Sequence, residues 1–193
     1  MSGSAQGRYL ALLRGINVGK AKQLAMADLK RLLEGLGYAD VRTHLRSGQA
    51  VFTADGPATA TGAATIGDDI EQAITEGLGM DVRVVVRTRA ELAKVIKANP
   101  LATSDRDPAK LFCVFLSAKL TATDLRAVDP SAYEPEEFTL GASGREIFLW
   151  LPNGMGTSQL GVVKWDRVTG NRQLVVTARN WRTTLKLLEL LDA

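Results

Sequence analysis

Apolar residues in the first half of the chain recur at spacings that predict a βαββαβ order of elements. Alternating or continuous apolar runs indicate strands, and apolar residues three or four positions apart indicate helices. The strand patterns are Tyr9–Leu13, Val41–Leu45, Ala50–Thr53 and Val82–Val86. The helical stripes are Met26, Leu29, Leu33 and Leu36, then Ile66, Ile70, Ile74 and Leu78.

The second half predicts the same order of elements after a helix that ends near Pro100. Thr88 and Glu91 fit a capping box that opens this helix, and Thr103–Pro108 is the best linker candidate. The predicted strands are Leu111–Leu116, Phe138–Leu140, Ile147–Leu151 and Gln173–Thr177. The predicted helices are Asp124–Val128, Leu160–Arg167 and a last helix with Trp181, Leu185, Leu188 and Leu191 on one face.

The repeated order predicts an α+β protein of two packed ferredoxin-like (βαββαβ) halves with extra helices. The halves are expected to span residues 8–102 and 109–193, after a disordered tail of residues 1–7 and with the terminal helix in the second half. The first two strands of such a plait run parallel, so the loop after the first strand and the turn after the second emerge at one end of the sheet. Six polar or glycine positions are therefore expected to converge there: Arg14, Asn17, Lys20, Arg46, Ser47 and Gly48.

Composition narrows the location and the class of partner. No apolar run approaches the length of about 18 residues that a membrane span needs, and the first seven residues lack the apolar core of a signal peptide. The single cysteine, Cys113, cannot form an internal disulfide, which favours the cytoplasm. The net charge is +3, but residues 14–46 carry seven basic and three acidic side chains, and residues 160–186 carry six and one. This segregation favours an anionic partner; well-solvated helix faces are the alternative.

The loop after the first strand resembles a phosphate-binding loop without matching one. A Walker A motif places four residues between its glycines and a Ser or Thr after its lysine, whereas Gly15 and Gly19 enclose three residues and Ala21 follows Lys20. This argues against magnesium-dependent hydrolysis of a nucleoside triphosphate by that mechanism. Backbone N–H groups in the loop can still bind an anion, helped by Arg14 and Lys20. The alternative is an ordinary connection with solvated cations.

A second candidate lies where the last strand is expected to give way to the last helix. Thr177, Arg179 and Asn180 offer a hydroxyl, a guanidinium and exposed N–H groups that could hold a phosphate or carboxylate. In the alternative interpretation Thr177 or Asn180 caps the helix, Trp181 fills the core and Arg179 ties down a neighbouring group.

No catalytic constellation is legible in the sequence. His44 is the only histidine, and Ser47 lacks the G-x-S-x-G elbow of a serine nucleophile. One histidine and one cysteine cannot form a protein zinc cluster. An oxygen-only metal site from Asp68, Asp69 and Glu71 is the alternative, but these residues are typical of the charged start of a helix, so we predict neither a metal nor a cofactor. The first half also lacks the pattern of aromatic residues with which a ferredoxin-like sheet binds RNA.

Several segments together resemble the bacterial domain of unknown function 1697 family. They are Leu13–Lys20, Val41–Thr43, Ser47-Gly48, Val51-Phe52 and Thr177–Trp181. The chain departs from the family pattern at Lys20, His44, Gln49 and Arg182. The resemblance implies a small cytoplasmic α+β protein, and it carries over no catalytic role because the family has no established activity.

The expectation for function is binding of an anionic ligand, a nucleotide, phosphate or nucleic-acid backbone, at the loop after the first strand. The expected ligand-binding residues are Arg14, Asn17, Gly19, Lys20, Arg46, Ser47, Gly48, Thr177, Arg179 and Asn180. Two alternatives stay open: an enzyme that acts on a small phosphorylated substrate, and a protein-interaction module with an unknown protein partner. No membrane partner is expected.

The predicted linker provides a test of the domain boundary. Limited proteolysis should first cut between Leu101 and Lys110, because a polar linker between two packed halves is the segment that a protease reaches most easily. Resistance of this segment, with earlier cleavage inside Tyr9–Val86, would contradict the boundary. Mass spectrometry of the first fragments gives the answer.

Overall fold

Eight β-strands and five α-helices form in residues 6–18 and 22–193, the part of the chain that a computed structural model describes. They make two four-stranded antiparallel sheets, so the protein belongs to the α+β class. The chain divides into two units, one that runs through Ala93 and regains Leu187–Ala193, and one formed by Lys94–Lys186. The sequence places the boundary at Thr103–Pro108 instead, and that placement stays a prediction for the proteolysis experiment.

The first unit follows the order of elements that the apolar pattern predicts. Its elements are β1 (Gln6–Leu13), α1 (Met26–Gly35), β2 (Ala39–Thr43), β3 (Gln49–Asp55), α2 (Ala60–Leu78) and β4 (Val84–Thr88), and α3 (Arg89–Lys97) begins in it. The strands lie in the order β2-β3-β1-β4, and every neighbouring pair is antiparallel. β1 begins at Gln6, so Gln6 and Gly7 of the predicted tail lie in a strand; residues 1–5 lie outside the described part.

One face of this sheet packs against α1 and α2. Leu29 and Leu33 of α1 are buried with Ile66, Ile70 and Ile74 of α2, as the helical stripes predict. The last member of each stripe is different: Leu36 and Leu78 are 36% and 37% exposed, because each lies at the end of its helix.

The predicted capping box of α3 is confirmed, since the N–H of Thr88 donates to Glu91 (2.8 Å) and the N–H of Glu91 donates to the Thr88 hydroxyl (3.1 Å).

The second unit repeats the strand order with fewer helices. Its elements are β5 (Leu111–Leu116), β6 (Glu137–Leu140), β7 (Glu146–Trp150), α4 (Trp165–Val168), β8 (Val176–Asn180) and the first part of α5 (Trp181–Asp192). The strands lie in the order β6-β7-β5-β8, all antiparallel.

The predicted helix Asp124–Val128 is wrong: these residues form turns, in which the Asp124 carboxylate accepts hydrogen bonds from both the N–H and the hydroxyl of Thr121 (2.7 Å each). Such local bonds compete with a helix.

The last strand differs from prediction in its position, and the last helix differs in which of its residues are buried. β8 lies at Val176–Asn180, about three residues later than predicted, so Thr177, Arg179 and Asn180 are strand residues. On α5 the buried positions are Trp181, Thr184, Leu187 and Leu191, whereas Leu185 and Leu188 are only half-buried. The predicted stripe was therefore partly wrong, because a helix rich in leucine permits more than one apolar face.

The positions of two leucines on α5 give a matched pair of variants. Leu187→Ala should lower the free energy of unfolding by about 2 to 5 kcal/mol, because it leaves a cavity at a fully buried site. Leu188→Ala removes the same atoms from a half-buried site and should cost about 1 kcal/mol. Chemical denaturation of both variants provides the comparison. A larger loss for Leu188→Ala would restore the stripe that the sequence predicts.

Candidate functional site

The loop after β1 and the turn between β2 and β3 meet at one end of the first sheet. The N–H of Leu13 donates to the carbonyl of Gly48 (2.8 Å), and the side-chain amide of Asn17 donates to the carbonyl of Arg46 (2.6 Å). β1 and β2 are each antiparallel to β3, so both chains leave the sheet at the same end. The predicted convergence of the loop and the turn is confirmed for these residues, whereas Lys20 lies outside the described part of the chain.

Asn17 closes the loop as well as joining it to the turn. Its amide nitrogen donates to the carbonyl of Leu24 (2.9 Å), and its amide oxygen accepts from the N–H of Leu24 (2.9 Å). Its own N–H donates to the carbonyl of Lys22 (3.0 Å). Asn17 adopts the left-handed conformation (φ 55°), which asparagine tolerates better than most residues. Its side chain therefore fixes the geometry of the loop.

Gly48 has a structural reason to be glycine. Its φ is +71°, and a Cβ atom at this position would lie 2.5 Å from Cδ1 of Ile16 and 3.0 Å from Cβ of Leu13. The close approach lets the turn lie directly against the buried Ile16 of the loop. The sequence suggests Gly48 as a ligand contact, but it is buried and its carbonyl accepts the hydrogen bond from Leu13.

The side chains exposed at this end are mainly cationic or aliphatic. Arg14, Arg46 and Ser47 are exposed, and Val18 and Leu45 are exposed by 71% and 56%. Leu45 lies outside β2 with a φ of +55°, which corrects the predicted strand through that residue, and half-buried His44 also follows the strand. The predicted contacts Gly19 and Lys20 lie outside the described residues. We name the segments 14–18 and 44–48 the loop–turn surface.

Thr177, Arg179 and Asn180 lie in the second unit and make contacts within it. The Arg179 guanidinium donates to the hydroxyl of Thr177 (2.7 Å) and to the carbonyl of Ala178 (2.8 Å). Burial lowers the pKa of Arg179 to about 10, so it is still a cation at neutral pH. The Asn180 amide donates to the carbonyl of Ala109 (2.9 Å) and accepts from the N–H of Arg182 (3.0 Å), which ties the start of α5 to the segment before β5. These contacts are structural, and a ligand role for the three residues stays a prediction.

The first unit contains a buried arginine that sequence reasoning missed. Arg87 lies in β4, is 1% exposed, and donates to the carbonyl of the preceding residue, Val86 (3.0 Å), as Arg179 does to Ala178. Each arginine is the fourth residue of the last strand of its sheet, and a helix follows that strand directly. The sequence signal that could have identified Arg87 is an arginine within an apolar strand just before a helix.

Neither a metal centre nor a membrane span is formed by the described residues. Within 6–18 and 22–193, no three His, Cys, Asp or Glu side chains lie close enough together to hold a metal ion. None of the helices there is both long and apolar enough to cross a bilayer. Cys113 is a buried thiol in β5 and forms no disulfide.

Alanine substitutions at two glycines separate the effects of backbone strain and of close packing on stability. Gly15 has a φ of +65°, and no heavy atom lies within 4 Å of the position that a Cβ would take, so Gly15→Ala should cost about 1 to 2 kcal/mol from strain alone. Gly48→Ala adds the clash with Ile16 and should cost about 1 to 3 kcal/mol more. Thermal unfolding of both variants checks the difference. Equal losses would mean that the turn does not depend on the contact with Ile16.

Comparisons with known proteins place the chain in a family. The family model described as a protein of unknown function (DUF1697) matches residues 7–148, a range that excludes Thr177–Trp181. The solved structure of conserved bacterial protein SP0830 from Streptococcus pneumoniae is similar, with a TM-score of 0.71 and 23% identity over 97% of this chain and 99% of that chain. At this identity the likeness shows the fold alone, and no curated protein matches the chain. Because the family model covers well over half of the sequence, the chain belongs to the DUF1697 family, as its motifs predict.

Proposed function

We propose that the protein binds an anionic ligand, the phosphate of a nucleotide or of a nucleic-acid backbone, at the loop–turn surface. The observation that carries this proposal is the contact from Asn17 to the carbonyl of Arg46 (2.6 Å), which joins the loop of Arg14 to the turn of Arg46. Two exposed guanidinium groups that are 32 residues apart in the sequence therefore lie at the same end of the first sheet.

The charge of the neighbouring segments supports an anionic ligand. Residues 14–18, 22–25 and 44–48 contain Arg14, Lys22 and Arg46 and no Asp or Glu. The Lys22 ammonium donates to the carbonyl of Asp81. This hydrogen bond fixes the Lys22 side chain and keeps its positive charge near the loop. Guanidinium groups suit phosphate because their N–H donors match its oxygens in pairs.

The backbone of the loop gives further support. Gly15 and Asn17 are left-handed, at φ values of 65° and 55°. Left-handed residues interspersed in a loop turn successive N–H groups toward one side, which is how backbone concavities bind anions. The N–H groups of Arg14 and Asn17 already donate to the carbonyls of Arg83 and Lys22, so the neutral donors that the loop can contribute are those of the residues between and after them.

We propose, for the rest of the molecule, that each half has the ferredoxin-like topology and that the protein is cytoplasmic. The strand orders β2-β3-β1-β4 and β6-β7-β5-β8 support the first statement, and the single, buried Cys113, which cannot form an internal disulfide, supports the second. The predicted division into residues 8–102 and 109–193 is part of the same proposal.

Removing the two arginines tests the proposed site. Because Arg14 and Arg46 are exposed, each change to Ala should weaken binding of pyrophosphate or a short oligonucleotide by about two- to fivefold, and the double variant by more. Raising the salt concentration should weaken binding by the parent protein as well. Isothermal titration calorimetry measures both effects.

Lys119→Ala is the matched control, since Lys119 is an exposed cation in the second unit. Its affinity should equal that of the parent. The location is rejected if the double variant binds as the parent does, or if Lys119→Ala causes an equal loss.

A further inference from the structure

A cavity of about 410 Å³ lies along the edge of the first sheet, beside β2. Its floor includes the buried Val51 (2% exposed), which lies opposite Arg42 of β2 and therefore on the same face of the sheet. Its rim is charged and comes from β1, α1 and β2: Arg8, Lys30, Glu34, Asp40 and Arg42. An apolar floor, a few polar groups and this volume are typical of sites for small molecules.

The backbone of β2 is irregular where it borders the cavity. The register between β2 and β3 shifts between Ala39 and Arg42, and Asp40 lies between them with a φ of +53°. The hydroxyl of Thr53 donates to Oδ2 of Asp40 (3.2 Å), which holds the carboxylate at the rim. Irregularities of this kind re-aim a side chain and are common beside binding sites.

Two arginines provide the positive side of the rim. Arg8 donates to the carbonyl of Leu191 (2.5 Å), and Arg42 donates to the carbonyl of Leu190 (2.7 Å), so both are held against the last turn of α5. Each contact uses one nitrogen of a guanidinium that carries five N–H donors. Donors are therefore left over on both side chains for an anionic group of a ligand.

The rim carries both signs of charge, and this selects among ligands. Besides the two arginines and Asp40, Lys30 and Glu34 form an ion pair (3.7 Å) whose side chains are about half exposed. A ligand with only negative groups would have to face Asp40 and Glu34, and one with only positive groups would face Arg8, Lys30 and Arg42. A ligand with one group of each sign avoids both repulsions.

We propose that this cavity binds a small zwitterion that carries a primary ammonium and a carboxylate, of the size of an amino acid or dipeptide. The ammonium pairs with the carboxylate of Asp40, and the ligand carboxylate pairs with the guanidinium of Arg42 and with Arg8. The apolar part of the ligand covers Val51. This site is independent of the loop–turn surface, so either proposal can fail without the other.

Calorimetric titration with free amino acids and dipeptides, with dialanine as the reference, tests the proposal. Dialanine should bind saturably with one site, and N-acetyl-dialanine and dialanine amide should bind about tenfold more weakly, because each lacks one charge. Absence of saturable binding by every member of the panel at millimolar concentration, or equal binding of the blocked forms, overturns the proposal.

Variants of the rim locate the site. Asp40→Asn keeps a residue that tolerates the left-handed conformation and can still accept from Thr53, so the protein should fold while dialanine binds about tenfold more weakly. Arg42→Gln should cause a similar loss. Asp28→Asn and Arg31→Gln, in an exposed ion pair on α1, are controls that should bind as the parent does. If Asp40→Asn and Arg42→Gln bind dialanine as tightly as the two controls do, the assignment of the site to this cavity is overturned.

Discussion

The side-chain amide of Asn17 is the interaction on which the loop–turn surface depends. It bonds to both the N–H and the carbonyl of Leu24, and it reaches the carbonyl of Arg46 across the end of the sheet. Gly48 makes this possible, because the absence of a Cβ lets the turn lie against Ile16. Local backbone constraints thus place Arg14 and Arg46 at one end of the first sheet.

Much of this arrangement follows from the sequence. The apolar stripes of α1 and α2 predict which residues pack on the sheet, and the order of elements predicts that the loop and the turn converge. The roles of the individual residues did not follow. The sequence predicts ligand contacts at Asn17 and Gly48, which stay a prediction, but it does not show that both residues shape the backbone. A polar side chain in a loop has the same sequence signature whether its partner is a ligand or a distant carbonyl.

The apolar pattern also does not predict where β2 ends or which face of α5 is buried. Alternation through Val41, Thr43 and Leu45 predicts a strand, but the chain turns before Leu45 because the β2–β3 connection requires left-handed residues there. On α5 the leucines offer several apolar faces, and long-range packing selects the one that contains Leu187. The buried Arg87 and Arg179 show the same limit, since their burial depends on how apolar strands are covered and not on the residues beside them in sequence.

The central claim is that the loop after β1 and the β2–β3 turn form one anion site. The most direct measurement is a titration of the ¹⁵N-labelled protein with pyrophosphate, followed through the backbone amide resonances. We predict that amides of residues 14–18 and 44–48 shift together and saturate at one common concentration. Saturable shifts confined to other segments, or shifts in only one of the two segments, would contradict the account.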